Sequence, residues 1–118
     1  MRVLIAVSSA LFILVAAEVA WAHAFLDHAE PRVGSSVATA PRQLSLWFTQ
    51  NLEPAFSTVE VQNSAGGRVD VGKPRIGANV MHVGLKPLPP GTYKVLWHAL
   101  SVDTHTTEGS FTFHVGSQ

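Results

Sequence analysis

From residue 43 onward, apolar and polar side chains alternate in short runs separated by turn residues. Gln43 to Thr49 places Leu44, Leu46 and Phe48 on one face and Ser45 and Trp47 on the other. Val59 and Val61 form a shorter alternation, Val69 and Val71 another, and Val80 to Leu85 a further candidate. Thr92 to Val102 is the longest run, with Tyr93, Val95, Trp97 and Ala99 sharing a face. Gly109 to Val115 ends the series with Phe111, Phe113 and Val115 inward. A period of two is the signature of half-buried strands. Turn residues punctuate the runs at Pro31 and Gly34, Asn63 to Gly67, Pro87 to Gly91, and Thr104 to Glu108. Pro89-Pro90-Gly91 marks a tight entry into the strand that follows. No stretch after residue 22 keeps a helical period. The pattern predicts an all-β fold, a small antiparallel sandwich or barrel. If the segment from Asp103 to Gly109 closes a hairpin, His98 falls near Thr112 and His114 near Leu96.

The first 22 residues follow a different rule. Arg2 supplies a positive start, Val3 to Ala17 an apolar stretch, and Ala20-Trp21-Ala22 a small-x-small cleavage pattern. That order predicts a secretory signal peptide over 1–22 and a single mature domain over 23–118. The apolar run is shorter than the roughly 20 residues a membrane span needs. Glu18 follows it directly, and no stop-transfer charge cluster precedes the strands. Val15-Ala16-Ala17 is a second acceptable cleavage site, which would leave residues 18–22 ahead of His23. Cleavage after Ala22 leaves His23 as the first residue, with a free α-amine. A terminal histidine offers that amine and its ring Nδ1 together, closing a chelate ring on a metal. No internal residue offers this pair.

Composition narrows the chemistry further. Lys and Arg total 8 and Asp and Glu total 8, and Arg2 and Glu18 leave together with the signal, so the mature domain stays balanced. No basic stripe exists to track phosphates, which argues against nucleic acid as a partner. Cysteine is absent. The domain therefore depends on its apolar core rather than on disulfides. Thiolate metal sites, blue copper included, are excluded with it. All 6 histidines lie after residue 22.

Ser101-Val102-Asp103-Thr104-His105 ends the longest run. In an extended chain, residues two apart project to one side. Asp103 and His105 would then aim a carboxylate and an imidazole at one point. With the two nitrogens of His23 they make a set of three nitrogens and one oxygen. Such a set in a plane suits Cu(II), which heads the divalent affinity series. Zinc accepts similar donors in a tetrahedron, and spacing alone does not separate the two. Taken by itself, Asp-x-His is a weak motif. Asp103 could simply cap a turn and His105 sit in solvent. Of the other histidines, His28, His82 and His114 read as surface positions. His28 keeps a secondary possibility as a ligand or outer partner at the edge of the site. His98 shares a face with Leu96 and Leu100 and reads as structural before functional.

At this point the chain resembles the CopC-type periplasmic copper-binding proteins. The resemblance rests on His-Ala-Phe-Leu at 23–26, Glu30-Pro31 followed by Gly34-Ser35, and Leu44-x-Leu46-x-Phe48-Thr49. It continues through Leu88-Pro89-Pro90-Gly91-Thr92-Tyr93-x-Val95-x-Trp97. Its most specific part is Ser101-Val102-Asp103-Thr104-His105, followed by Gly109-x-Phe111-x-Phe113-x-Val115. The resemblance implies a Greek-key β-barrel or sandwich of immunoglobulin or cupredoxin type. It implies one Cu(II) ion held by the amine and ring of His23 with Asp103 and His105. It further implies periplasmic copper storage, resistance or delivery, with a CopD-like inner-membrane copper transporter as partner. Some members carry a Cu(I) site in a methionine-rich loop. Here only Met81 remains after the signal, so such a thioether cluster cannot form.

Three functions follow from this reading. The first is a Cu(II) carrier without turnover or small-molecule substrate, because protein groups fill the coordination plane. The second is a copper monooxygenase built on a histidine brace. The chain is short for that, lacks long substrate loops, and puts Asp103 where oxygen would bind. The third is an immunoglobulin-like interaction domain with incidental histidines.

Overall fold

The computed structural model describes residues 24–116. Residues 1–22, where a signal peptide is expected, and His23 lie outside the described residues, as do 117 and 118. Eight strands form two four-stranded sheets. In chain order they are β1 (Leu26–Glu30), β2 (Ser36–Val37), β3 (Gln43–Phe48), β4 (Thr58–Gln62), β5 (Asp70–Gly77), β6 (Val80–Leu85), β7 (Gly91–Leu100) and β8 (Thr106–Val115). One sheet runs β1-β3-β6-β5 and the other β2-β8-β7-β4. Every pairing is antiparallel except the two-residue β2 against β8. Among the described residues no helix is long and apolar enough to cross a membrane.

The alternation in the sequence is what closes the two sheets on each other. Leu44, Leu46 and Phe48 of β3 and Met81, Val83 and Leu85 of β6 are buried from one side. Tyr93, Val95, Trp97 and Ala99 of β7 and Phe111, Phe113 and Val115 of β8 meet them from the other. Each large apolar side chain removed from water contributes about 1.5–3 kcal/mol. The Phe48 and Trp97 rings meet in a T-shaped arrangement at a centroid distance of 5.2 Å. Tyr93 and Phe113 stack at 5.5 Å.

Three elements depart from the expected pattern. β1 has only Ala29 buried, and a bulge between Leu26 and His28 interrupts its pairing with β3. β5 extends well past Val71 because Gly72 and Pro74 sit in a bulge on an edge strand, where a missing N–H is tolerated. The β7–β8 hairpin turns at Ser101–His105 rather than across Asp103 to Gly109, since β7 stops at Leu100 and β8 starts at Thr106. That corrects the expected register. His98 lies opposite Glu108 and His114 opposite Thr92.

Gly109 shows how tightly the hairpin packs. A Cβ built there would lie 2.6 Å from Trp97 Cζ2, and the indole is pinned against Phe48. We predict that Gly109→Ala costs about 1–3 kcal/mol through overpacking. A thermal melt of the copper-free protein checks this, and an unchanged midpoint would contradict it.

Candidate metal centre

Ser101 continues the inward phase of β7 beyond Ala99 and is fully buried. Its neighbours fold into a compact turn. The Ser101 amide donates to the His105 carbonyl at 3.0 Å, and the Thr104 amide donates to the Ser101 carbonyl at 2.9 Å. Thr104 takes a left-handed backbone, with φ of 74°. Asp103 therefore sits in a turn, not in the extended chain expected from its spacing. The outcome for the two side chains is nonetheless the same. Asp103 Oδ1 lies 3.3 Å from His105 Nδ1.

The Ser101 hydroxyl donates to Asp103 Oδ1 and also reaches the His105 carbonyl at 3.2 Å. This hydrogen bond is the main reason the Asp103 carboxyl is held below its usual range. Partial desolvation opposes the shift, and hydrogen bonds and charge from His105 reinforce it. Both groups remain reachable from solvent, with side chains 42% and 31% exposed. The arrangement presents a carboxylate and an imidazole at one point, kept there by a buried hydroxyl.

The loop after β3 holds this turn from the side. The Val102 amide donates to the Asn51 carbonyl at 3.1 Å, and Leu52 bridges Ser101. The Glu53 amide donates to the Leu100 carbonyl at 2.8 Å, ahead of a 3-10 turn at Pro54–Phe56. The segment entering β1 is tied to the same end of the sandwich. Phe25 donates from its amide to Thr49 Oγ1 at 3.0 Å and accepts from the Thr49 amide at 2.9 Å. Thr107 Oγ1 donates to the Ala24 carbonyl at 2.6 Å. Ala24 itself is fully buried.

The remaining histidines each serve another local arrangement. His28 stacks on Trp47 with centroids 4.4 Å apart and 8° between planes, and its Nδ1 lies 2.7 Å from Asp27 Oδ2. His82 meets Ser45 Oγ at 2.7 Å, and His114 meets Thr92 Oγ1 at 2.7 Å. His98 occupies the outward face between Thr58 and Glu108. Among the described residues no three His, Asp or Glu side chains converge on one point. Of the three expected ligand residues the structure brings Asp103 and His105 together, and His23 lies outside the described residues.

Ser101 and Thr107 are the site residues that sequence reasoning missed. Ser101 carried a signal, since it continues the buried parity of Tyr93 to Ala99 and stands two residues from Asp103. Thr107 carried only its place two residues beyond His105. Its partner is 83 residues away, which no local pattern reveals.

The CopC domain family profile matches residues 26–116. Copper transport protein CutJ of Bacillus subtilis is 34% identical over 110 residues. That match covers 90% of this chain but only 20% of CutJ, so the chain spans about a fifth of that protein. The crystal structure of CopC from Methylosinus trichosporium OB3b superposes with a TM-score of 0.74 at 31% identity, covering 79% of this chain and 93% of that one. PcoC, a methionine-rich copper resistance protein from Escherichia coli, superposes with a TM-score of 0.70 at 35% identity, covering 80% and 99%. The fold, the ordered motifs and these matches agree: the chain belongs to the CopC family of copper resistance and transport proteins.

Proposed function

We propose that the protein is an exported, periplasmic Cu(II) carrier that holds one ion without turnover. The ligands in this reading are the amine and ring of His23, the Asp103 carboxylate and the His105 imidazole. The observation that carries it is the docking of Ala24 on Thr107, two residues beyond His105. A donor at residue 23 stands one peptide from that anchor, about 3.8 Å between Cα atoms. Two imidazoles, an amine and a carboxylate are the mixed N,O set that Cu(II) favours.

Met81 supports a carrier of Cu(II) alone. It is fully buried in β6, so its thioether belongs to the core and not to a soft Cu(I) site. PcoC, by contrast, is described as methionine-rich. Delivery to a CopD-like membrane transporter fits CutJ, where a similar stretch is part of a longer copper transport protein.

The decisive experiment uses the exported protein, its N-terminus confirmed by mass, titrated with Cu(II) while EPR is recorded. The control carries one extra residue before His23. The expected result is one tetragonal copper in the native form. The extended form should lose more than the roughly 10- to 100-fold that loss of an outer-shell contact costs. Equal binding by both would remove the terminal amine from the site.

Protons should compete with the metal. Copper in excess raises stability by mass action, about 2.7 kcal/mol at a hundred times Kd. Imidazole takes a proton near about 6.5 and the amine near about 8, so the copper-dependent rise in Tm should fade below about pH 6. A rise that stays constant between about pH 5 and 8 would contradict histidine and amine ligation.

Ser101→Ala should let the Asp103 carboxyl rise toward its ordinary value, because the hydroxyl is the main cause of the lowering. A depressed carboxyl stabilises the fold above its unfolded value of about 3.9. That contribution is lost as pH falls through the folded value. The variant should therefore lose a little acid resistance, in the range where an ordinary carboxyl is protonated and the depressed one is not. Carboxyl NMR titration checks the shift, and an unchanged Asp103 titration would contradict the assigned role.

A further inference from the structure

We propose that Thr107 is a positioning residue that aims the start of the mature chain at Asp103 and His105. The inference rests on the reading that His23 chelates copper and adds the device that makes the chelate effective. Chain ends fray unless something ties them down. A metal site that uses one must otherwise order it at the moment of binding, which weakens affinity.

Three backbone groups at the start of the described chain are already held. The Ala24 carbonyl accepts from Thr107 Oγ1 at 2.6 Å, and the Phe25 amide and carbonyl are paired with Thr49. The Ala24 methyl is part of the hydrophobic core. Of these contacts, the Thr107 bond lies nearest residue 23 along the chain. It also joins the residue that follows His23 to the strand that follows His105. Thr107 shares the inward parity of Gly109, Phe111 and Phe113, so its hydroxyl reaches across the sandwich to the segment entering β1. It belongs to the same strand that His105 leads into. One hydrogen bond thus spans 83 residues of sequence between the chain start and the Asp103–His105 turn.

Valine would suit a strand at position 107 as well as threonine does and fill nearly the same space. The hydroxyl is what it lacks. Without that donor, the buried Ala24 carbonyl must turn toward water to recover a hydrogen bond. Such a rotation turns the Ala24–Phe25 peptide, works against the bond from the Phe25 amide to Thr49, and shifts the backbone one residue from His23 while leaving Asp103 and His105 in their turn. Thr107 acts through this peptide and touches no metal in the proposed site.

The test is a cycle of four mature proteins titrated with Cu(II) under a competing chelator. Wild type and Thr107→Val are each prepared starting at His23 and with one extra residue before it. In the native-start pair, Thr107→Val should weaken copper binding about three- to tenfold, the worth of one hydrogen bond. Thr107→Ser, which keeps the donor, should restore affinity to within about twofold. In the extended pair the substitution should cost clearly less, because the amine is gone and only the His23 ring is left to aim. Native-start affinity that is unchanged by Thr107→Val would overturn the proposal. So would an equal loss in both backgrounds, which marks a general effect on the fold or on the Asp103–His105 turn. Melts without copper confirm folding, and Thr107→Ala serves the same cycle if the valine protein is unstable. Failure of the underlying reading shows separately, as equal copper binding by the two wild-type forms. That result removes the chelate that Thr107 is proposed to aim.

Discussion

The ladder between β7 and β8, from Gly91 opposite Val115 to Leu100 opposite Thr106, is the constraint on which the candidate metal-binding end depends. Its length sets the turn, leaving only Ser101 to His105 to reverse the chain. A slip of one residue would turn Tyr93, Val95 and Trp97 out to solvent, so the register is strongly specified. The indole of Trp97 lies over Gly109 and further restricts any sliding. The turn is therefore an output of core packing. It places the Asp103 carboxylate and the His105 imidazole side by side without any need for the metal to gather them.

What the ladder does for the turn, polar contacts do for the rest of that end. Ser101 is a fully buried hydroxyl, a costly position unless its hydrogen bonds are made. It makes them inside the turn, to the carboxylate of Asp103 and the backbone of His105. Thr49 and Thr107 do the equivalent for residues 24 and 25. The result is a rigid end built from three segments far apart in sequence, namely residues 24–25, 49–57 and 100–107. In the proposed site, copper would tie His23, just ahead of the first segment, to Asp103 and His105 in the third. Stability and metal occupancy should accordingly rise and fall together.

Much of this was legible in the sequence, and the reasons are physical. The inward faces of β3, β6, β7 and β8 follow a strict period of two because both sheets bury one side only. Their core residues could be read directly. β1 was not visible because it is a bulged edge strand with a single buried residue. β2 is two residues long and owes its existence to β8. Asp103 and His105 were rightly expected to meet, but for the wrong reason, since a left-handed Thr104 does what strand parity was thought to do. The expected neighbours of His98 and His114 failed with the turn boundary, because every pairing in a hairpin inherits the length of its loop. Thr107 was illegible for a different reason. Its role exists only once Ala24 has been folded against it.

The most direct measurement is a crystal structure of the mature protein loaded with copper, using anomalous scattering at the copper edge to locate the ion. The account predicts a single copper peak bonded to the amine and ring of His23, to Asp103 and to His105, with Ala24 still on Thr107. A peak elsewhere, for example beside His28 or His82, or a copper held by Asp103 and His105 without His23, would contradict it.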